Sequence, residues 1–273
     1  MKKFEKYSNW IFIFVLFVIG VTVYMTFDNF YVITDGIAFL IDILSPFIIG
    51  FIIRGETMEL RFENVCGRKK KFLVKDISFT VENGYITGLV GHNGAGKTTL
   101  FRYVVDRNEK YEGNILVDGK NIRSNHSDFM NQIAYISDEA VFFLQKTAME
   151  NAKLCKNLYE KFSMEIFVEE MKRMELPVSR QLQKMSRGEF LKFQMAFAMA
   201  HETKLYLLDE VTAGMDPVYR KDFFRILKQL LVEEDVAILM STHIEDEVVK
   251  HMDYVAELKN GELVSFQMVG DYV

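Results

Sequence analysis

Nine residues, Gly91-His92-Asn93-Gly94-Ala95-Gly96-Lys97-Thr98-Thr99, constrain this chain more than any other stretch. They lie between an apolar, strand-like segment, Tyr85 to Val90, and a helix-like one, Leu100 to Val105. A G-x-x-x-x-G-K-[ST] run in that setting reads as strand, phosphate-cradling loop and helix. The glycines let backbone N–H groups turn inward around phosphate oxygens, and the helix start adds the positive end of its dipole. Lys97 is placed to reach the β- and γ-phosphates, and the Thr98 hydroxyl to ligand Mg2+. A glycine-rich turn that merely contains a lysine has no need of eight positions in register between a strand and a helix.

A second signal lies downstream. Leu205-Tyr206-Leu207-Leu208-Asp209-Glu210 is an apolar run ending in two carboxylates, as expected of a strand buried on both faces of a parallel sheet. Ligands of such sheets sit beyond the carboxyl ends of the strands. Asp209 is therefore expected to hold Mg2+ through water, and Glu210 to polarise the attacking water. A lone strand with two terminal acids would more simply be a solvated strand end; the phosphate loop upstream argues against that.

Met185-Ser186-Arg187-Gly188-Glu189 precedes this strand, and Gly214-Met215-Asp216-Pro217 and Ser241-Thr242-His243 follow it. In that order the five motifs resemble the ATP-binding cassette (ABC) ATPases, over the chain from Met58 onward. The likeness is nearest to single-cassette subunits of bacterial exporters. It implies an α/β P-loop NTPase fold, a mixed sheet with a flanking antiparallel β-subdomain and a helical subdomain. It further implies ATP and Mg2+ as ligands, a second cassette packed head to tail as a homodimer, and a separate membrane permease as partner. Ser186 and Gly188 would then touch the γ-phosphate held by the partner's lysine loop, the helix start adding its dipole. Asp216 would couple the two sites across the dimer, and His243 would hydrogen-bond the γ-phosphate and Glu210.

Several positions depart from the family pattern. Arg187 and Glu189 stand where Gly and Gln are commonest, and Val211 stands where Pro usually follows the Asp-Glu pair. Asp138, in Ala134-Tyr135-Ile136-Ser137-Asp138-Glu139, takes the place of a glutamine that contacts Mg2+ and the permease. A carboxylate is the better Mg2+ ligand, so Asp138 joins Thr98 and Asp209 as a metal candidate. The place of the aromatic that stacks on adenine falls near Cys66, with Phe72 the nearest substitute. Those two changes leave open an ATP-binding sensor with little hydrolysis. A non-transport ABC protein is the other alternative, although such proteins usually carry two cassettes or long coiled coils.

The first 54 residues differ in kind from the rest. Asn9 to Phe27 is a run of 19 residues without a charge; as a helix it spans about 28 Å, close to the roughly 30 Å hydrocarbon core. Ile37 to Ile53 is a second apolar stretch, broken by Asp42 and Pro46. A mid-membrane carboxylate costs on the order of 2.5–3.5 kcal/mol, which makes this span the weaker one. Lys2, Lys3 and Lys6 precede the first span and Arg54 follows the second, so both ends are expected on the cytoplasmic side. A helical hairpin over 1–54, two transmembrane helices that leave a cytoplasmic ATPase domain over 55–273, agrees with the need for ATP. A secretory signal and a buried soluble hairpin are the rival readings. The piece from Ile43 to Ile53 also resembles the opening of autoinducer-2 exporter-like permeases, so the segment is read as a membrane tether or a fusion fragment.

The formal net charge is −5, and the only basic block, Arg68 to Lys71, reads as a hairpin tip. No nucleic-acid partner is expected. The two cysteines form no C-x-x-C pair, which suits a reducing compartment. Strands are expected over Met58–Asn64, Ile77–Val81, Gly113–Val117 and Val236–Met240, with a turn at Lys259 to Glu262. The stretch around 138–185 lacks alternation and reads as two or three helices, one of them broken by Pro177. Its residues Met149, Phe162, Met164, Phe167, Met171 and Met174 are expected in its core.

Overall fold

The computed structural model describes residues 58–69, 72–139 and 141–272. The hydrophobic hairpin expected over 1–54 lies outside the described residues, as do Lys70 and Lys71 at the basic tip. Among the described residues no helix is long and apolar enough to cross a membrane.

One sheet of ten strands carries the fold. The strands are β1 (Leu60–Lys69), β2 (Phe72–Val81), β3 (Ile86–Val90), β4 (Glu112–Val117), β5 (Lys120–Asn121), β6 (Ile133–Ile136), β7 (Leu205–Asp209), β8 (Ala237–Thr242), β9 (Tyr254–Lys259) and β10 (Glu262–Met268). Their spatial order is β5-β4-β1-β2-β10-β9-β3-β8-β7-β6. β6, β7, β8, β3 and β9 are mutually parallel. β1, β2, β4 and β5 form an antiparallel wing. The β1–β2 register runs out to Lys69 opposite Phe72.

Each expected strand segment meets a strand, although Met58, Glu59 and Val236 lie just ahead of theirs, and several strands run longer than their hydrophobic runs suggested. β8 extends past Met240 through Ser241 and Thr242, because both hydroxyls find buried carboxylate partners. β1 extends to Lys69 with register shifts between Phe62 and Gly67.

The parallel strands are buried on both faces, and alternate residues serve two separate cores. Tyr206, Leu208, Ile238 and Met240 face one core with the helices α5 (Arg187–Met199) and α6 (Pro217–Glu233). Leu205, Leu207, Ala237 and Leu239 face the other, with helix α1 (Lys97–Val105) and the antiparallel wing. Helix α2 (His126–Met130) is little more than a turn, with Phe129 and Met130 packed against the second core. α3 (Ala148–Cys155) and α4 (Met164–Arg173) form the helical layer ahead of α5. Thr147 and Glu150 close a reciprocal capping box at the start of α3, which fixes where that helix begins.

Pro177 lies beyond the end of α4 rather than inside it, where it cannot cost a helical hydrogen bond. Phe167, Met171 and Met174 are fully in the core, and Phe162 and Met164 pack against it. The short helices α7 (Glu245–His251) and α8 (Val269–Tyr272) complete the fold.

Candidate functional site

Register brings the sequence motifs together. Val90, the last residue before the glycine loop, pairs with Thr242, the residue before His243. Asp209 pairs with Ser241 on the next strand, and Ile136 pairs with Leu208. The loops after β3, β8, β7 and β6 therefore open side by side at the carboxyl edge of the sheet, where such sheets bind ligands.

The loop of Gly91 to Gly96 is braced from behind. The turn between β9 and β10 uses Asn260 and Gly261, both with positive φ, and the Gly261 N–H donates to the Ala95 carbonyl at 3.0 Å. At Gly91 a Cβ would sit 2.4 Å from the Leu258 carbonyl oxygen, so the loop presses directly on β9. At Gly94 a Cβ would meet nothing within 4 Å, so the opposite side of the loop is open for a ligand.

α1 begins at Lys97 without a side-chain cap and without an acidic residue in its first turn. Its leading N–H groups thus face the loop with their partial positive charge uncompensated. Thr98 and Thr99 are half-buried on that first turn, and His92 and Asn93 are exposed on the loop. An open cradle, free N–H groups and a buried ammonium fit a polyphosphate.

Lys97 is 3% exposed and points back across the loop. Its Nζ donates to the Gly91 carbonyl at 2.7 Å and to the His92 carbonyl at 3.3 Å, and stands 3.0 Å from Glu210 Oε1. Glu210 Oε2 lies 4.0 Å from His243 Nδ1. The structure therefore brings Lys97, Glu210 and His243 together around one point, with Glu210 in the middle.

Asp209 is held by two donors. The Ser241 hydroxyl donates to Oδ1 at 2.6 Å and the Tyr135 hydroxyl to Oδ2 at 3.1 Å. Burial, with the Asp209 charge adding to it, pushes the Tyr135 phenol far above its ordinary range, so it stays an O–H donor. Ser241 also accepts the Glu210 N–H at 2.9 Å. Glu210 needs this support, since its φ of 49° is left-handed for a non-glycine residue.

The residues fit magnesium as well as phosphate. Thr98 and Asp209 offer hard oxygen donors, and each carboxylate oxygen of Asp209 keeps acceptor capacity beyond its one hydrogen bond. Among the described residues no group of three or more His, Cys, Asp or Glu forms a ready cage. Mg2+ commonly takes one or two protein ligands and completes its shell with waters and substrate phosphates.

Ser186 and Gly188 open α5. The Ser186 hydroxyl accepts from the Glu189 N–H at 3.3 Å, and the Ser186 N–H donates to Glu189 Oε2 at 2.8 Å. That backbone hydrogen bond, helped by Arg180, holds the Glu189 carboxyl below its usual range. Glu189 thus serves as the capping partner of Ser186, which remains exposed. Asp216 caps α6 by accepting the Val218 N–H at 2.8 Å, ahead of Pro217. Neither Ser186 nor Asp216 touches the Lys97 centre of the same chain.

Asp138 sits at the carboxyl end of β6, but both its oxygens are engaged by Arg187, at 2.8 and 2.6 Å. Beside Cys66 lies a cleft of about 310 Å³ lined by Cys66, Gly67, Leu73, Lys110, Tyr111 and Glu112. Tyr111 is the aromatic there, and Arg123 covers one face of its ring at 3.6 Å. The Phe72 side chain is outside the described residues.

Sequence reasoning missed Tyr135, Ser241 and Glu247. Glu247 is 3% exposed and accepts the hydroxyls of Thr212 and Thr242 at 2.8 Å each, with Arg220 Nε 3.3 Å away. It ties the chain after Glu210 to the chain before His243. Ser241 belonged to a quoted motif, but a strand-end serine carries no sign of two partners. Tyr135 and Glu247 carried no signal in the pattern.

A parallel α/β core with this loop and this pair of acids defines a P-loop nucleotide-binding domain. The chain belongs to the ABC transporter family, whose model matches residues 74–213, and it carries the family's ATP-binding cassette. It is 31% identical over 204 residues to the ABC transporter ATP-binding protein NatA of Bacillus subtilis, covering 72% of this chain and 82% of that one. It is 30% identical over 193 residues to YtrB of the same organism, covering 71% of this chain and 66% of the relative. It is also 30% identical over 195 residues to the bacitracin transport ATP-binding protein BcrA of Bacillus licheniformis, covering 70% and 63%. The chain thus spans slightly under two thirds of the length of several relatives. Among solved structures, an ATP-binding subunit of an ABC transporter superposes with a TM-score of 0.69 at 24% identity, covering 78% of this chain and 90% of that one. A nucleotide-free cassette superposes at 0.67 and 21% identity, covering 77% and 91%; these two show the shared fold.

Proposed function

We propose that this chain is the ATP-hydrolysing subunit of an ABC transporter, working as a cassette dimer that drives export through a separate permease. The observation that carries the reading is the Lys97–Glu210 ion pair at 3.0 Å, set at the strand ends beside Asp209 and His243. Lys97 exchanges Glu210 and the loop carbonyls for phosphate oxygens when nucleotide arrives. Glu210 is then free to take a proton from water, and His243, exposed beside it, to steady the γ-phosphate. The loop Gly91 to Thr99 binds the phosphates, and Thr98 and Asp209 would hold Mg2+, which would supply charge neutralisation on the transferring phosphoryl group.

Ser186 and Gly188 complete the site of the second copy, and Asp216 couples the two. Their position supports this: exposed Ser186 and half-buried Gly188 stand at the start of α5, and exposed Asp216 at the start of α6. Closing on ATP and opening after hydrolysis is a two-state change biased by γ-phosphate contacts. The domain over 55–273 lies on the cytoplasmic face, and the hydrophobic run over 1–54 attaches it to the cell membrane.

The test is steady-state phosphate release with size measurement at saturating Mg-ATP. Glu210→Gln is expected to bind ATP, accumulate as closed dimer and turn over about 10²–10⁴-fold more slowly. Lys97→Ala is expected to lose ATP affinity instead. Wild-type turnover by Glu210→Gln, or a strictly monomeric ATP complex, refutes the reading.

A further inference from the structure

Two departures from the family pattern, Arg187 in the serine segment and Asp138 after β6, meet each other in space. Arg187 Nε donates to Asp138 Oδ1 at 2.8 Å and Nη2 approaches Oδ2 at 2.6 Å, a two-point contact. The same Nη2 donates to the backbone carbonyl of Glu210 at 3.2 Å. A Cβ at Gly214 would stand 3.1 Å from Arg187 Nη1, so the guanidinium also lies against the chain that follows Glu210. One side chain thus joins three segments that are distant in sequence.

We propose that Arg187 is a positioning residue for Glu210, and that Asp138 serves to aim it. The inference rests on the reading of the chain as an ATP-hydrolysing cassette. Glu210 has a left-handed backbone, and side chains meet both of its peptide groups: Ser241 Oγ accepts the N–H and Arg187 donates to the carbonyl. Such a conformation persists only where its surroundings over-determine it. Ala213 N–H also donates to that carbonyl at 3.2 Å, but it belongs to the same turn and moves with it. Arg187 comes from another helix, so it holds the turn from outside.

Stability alone does not account for the pair. Asp138 is 56% exposed and Arg187 35%, and exposed ion pairs contribute about 0–1 kcal/mol. What the guanidinium adds is direction, because its fork fits a carboxylate and still leaves a donor for the carbonyl. An ammonium has no such fork. Gln194 Nε2 donates to the Ser137 carbonyl at 3.0 Å, so α5 grips the segment of Asp138 at a second point about two turns further along the helix. The start of α5, which carries Ser186, and the residue that activates water are therefore fastened together through Arg187.

The experiment compares wild type with Arg187→Ala, Arg187→Lys, Asp138→Asn and the Asp138→Asn/Arg187→Ala pair. It reads kcat, the equilibrium constant for Mg-ATP, and hydrogen exchange at the amides of 210–214. Arg187→Ala is expected to lower kcat about tenfold, the rate equivalent of one charge-assisted hydrogen bond, with ATP affinity within twofold. Asp138→Asn should give most of that loss, the double variant no more than Arg187→Ala alone, and lysine no rescue. Exchange at 210–214 should quicken in every variant. Wild-type kcat in Arg187→Ala, effects that multiply in the double variant, or affinity falling in step with kcat would overturn the proposal. If wild type proves not to hydrolyse ATP, the functional reading fails separately. The exchange measurement still decides the positioning claim, and unchanged protection at 210–214 sinks it.

Discussion

Replacing Ser241 by alanine removes one hydroxyl with two duties. That hydroxyl donates to Asp209 Oδ1 at 2.6 Å and accepts from the Glu210 N–H at 2.9 Å, and the residue is fully buried. The first bond is charge-assisted, worth roughly 1.5–3 kcal/mol, and an orphaned buried N–H costs roughly 1–3 kcal/mol more. Tyr135 still serves the other Asp209 oxygen, and the site edge admits water near Glu210, which is 33% exposed. The expected destabilisation is therefore about 2–3 kcal/mol, at the lower end of the sum. For a domain of this size that lowers Tm by about 4–12 °C. Because Glu210 also loses the anchor of its left-handed backbone, kcat should fall well beyond any change in ATP affinity. Thermal unfolding, equilibrium ATP binding and phosphate release read the three quantities. A variant that melts within 1 °C of wild type and turns over normally would show that Ser241 neither orients Asp209 nor supports Glu210.

Glu247→Ala leaves two threonine hydroxyls and the Arg220 guanidinium without their shared carboxylate. Breaking a buried pair of this kind costs about 3–5 kcal/mol, and a drop in Tm below 2 °C would contradict the buried role. Gly91→Ala places a methyl against the Leu258 carbonyl, a backbone atom that cannot rotate away. It should cost about 1–3 kcal/mol and weaken ATP binding, both measured on the purified protein. His201 is buried against the Tyr159 ring at 4.0 Å, and burial lowers its pKa to about 4. The unfolded chain, with a histidine pKa near 6.5, binds more protons between those values. Stability is thus fully present above about pH 6.5 and lost as pH falls towards 4, by about 3 kcal/mol. His201→Gln should flatten that limb; Glu170 and Glu234, whose pKa values partial desolvation raises, act alike in both proteins and cancel in the difference. Identical acid limbs would refute the assignment.

What was legible in the sequence was the order of the motifs and the kind of element that carries each. A glycine loop between a strand and a helix, and an apolar run ending in Asp209 and Glu210, speak through local spacing alone. The contacts that hold those residues in place do not, because they join positions far apart along the chain. Tyr135 reaches Asp209 across 74 residues and Arg187 reaches Asp138 across 49. Such pairs depend on strand register and on where α5 packs, and no periodicity encodes either. Asp138 shows the cost of reading one position alone. As a carboxylate near a phosphate site it suggests a metal ligand, whereas beside Arg187 it is the acceptor of an ion pair.

The same distinction indicates where the molecule can move. Val90 with Thr242, and Asp209 with Ser241, are locked in adjacent rows of a sheet buried on both faces. A one-residue slip there would turn every side chain to the wrong core, so the row of motif residues behaves as a rigid edge. Some links from that edge to α5 are of another kind. Asp138 with Arg187, 56% and 35% exposed, and Gln194 with the Ser137 carbonyl join single side chains rather than rows of a ladder. Single side-chain links of this kind can be remade while the sheet keeps its register, and such connections are where conformational change concentrates. A γ-phosphate that draws Lys97 away from Glu210 thus acts on the rigid edge. Arg187, the first residue of α5, donates to the Glu210 carbonyl and so ties Glu210 to the helix start that carries Ser186.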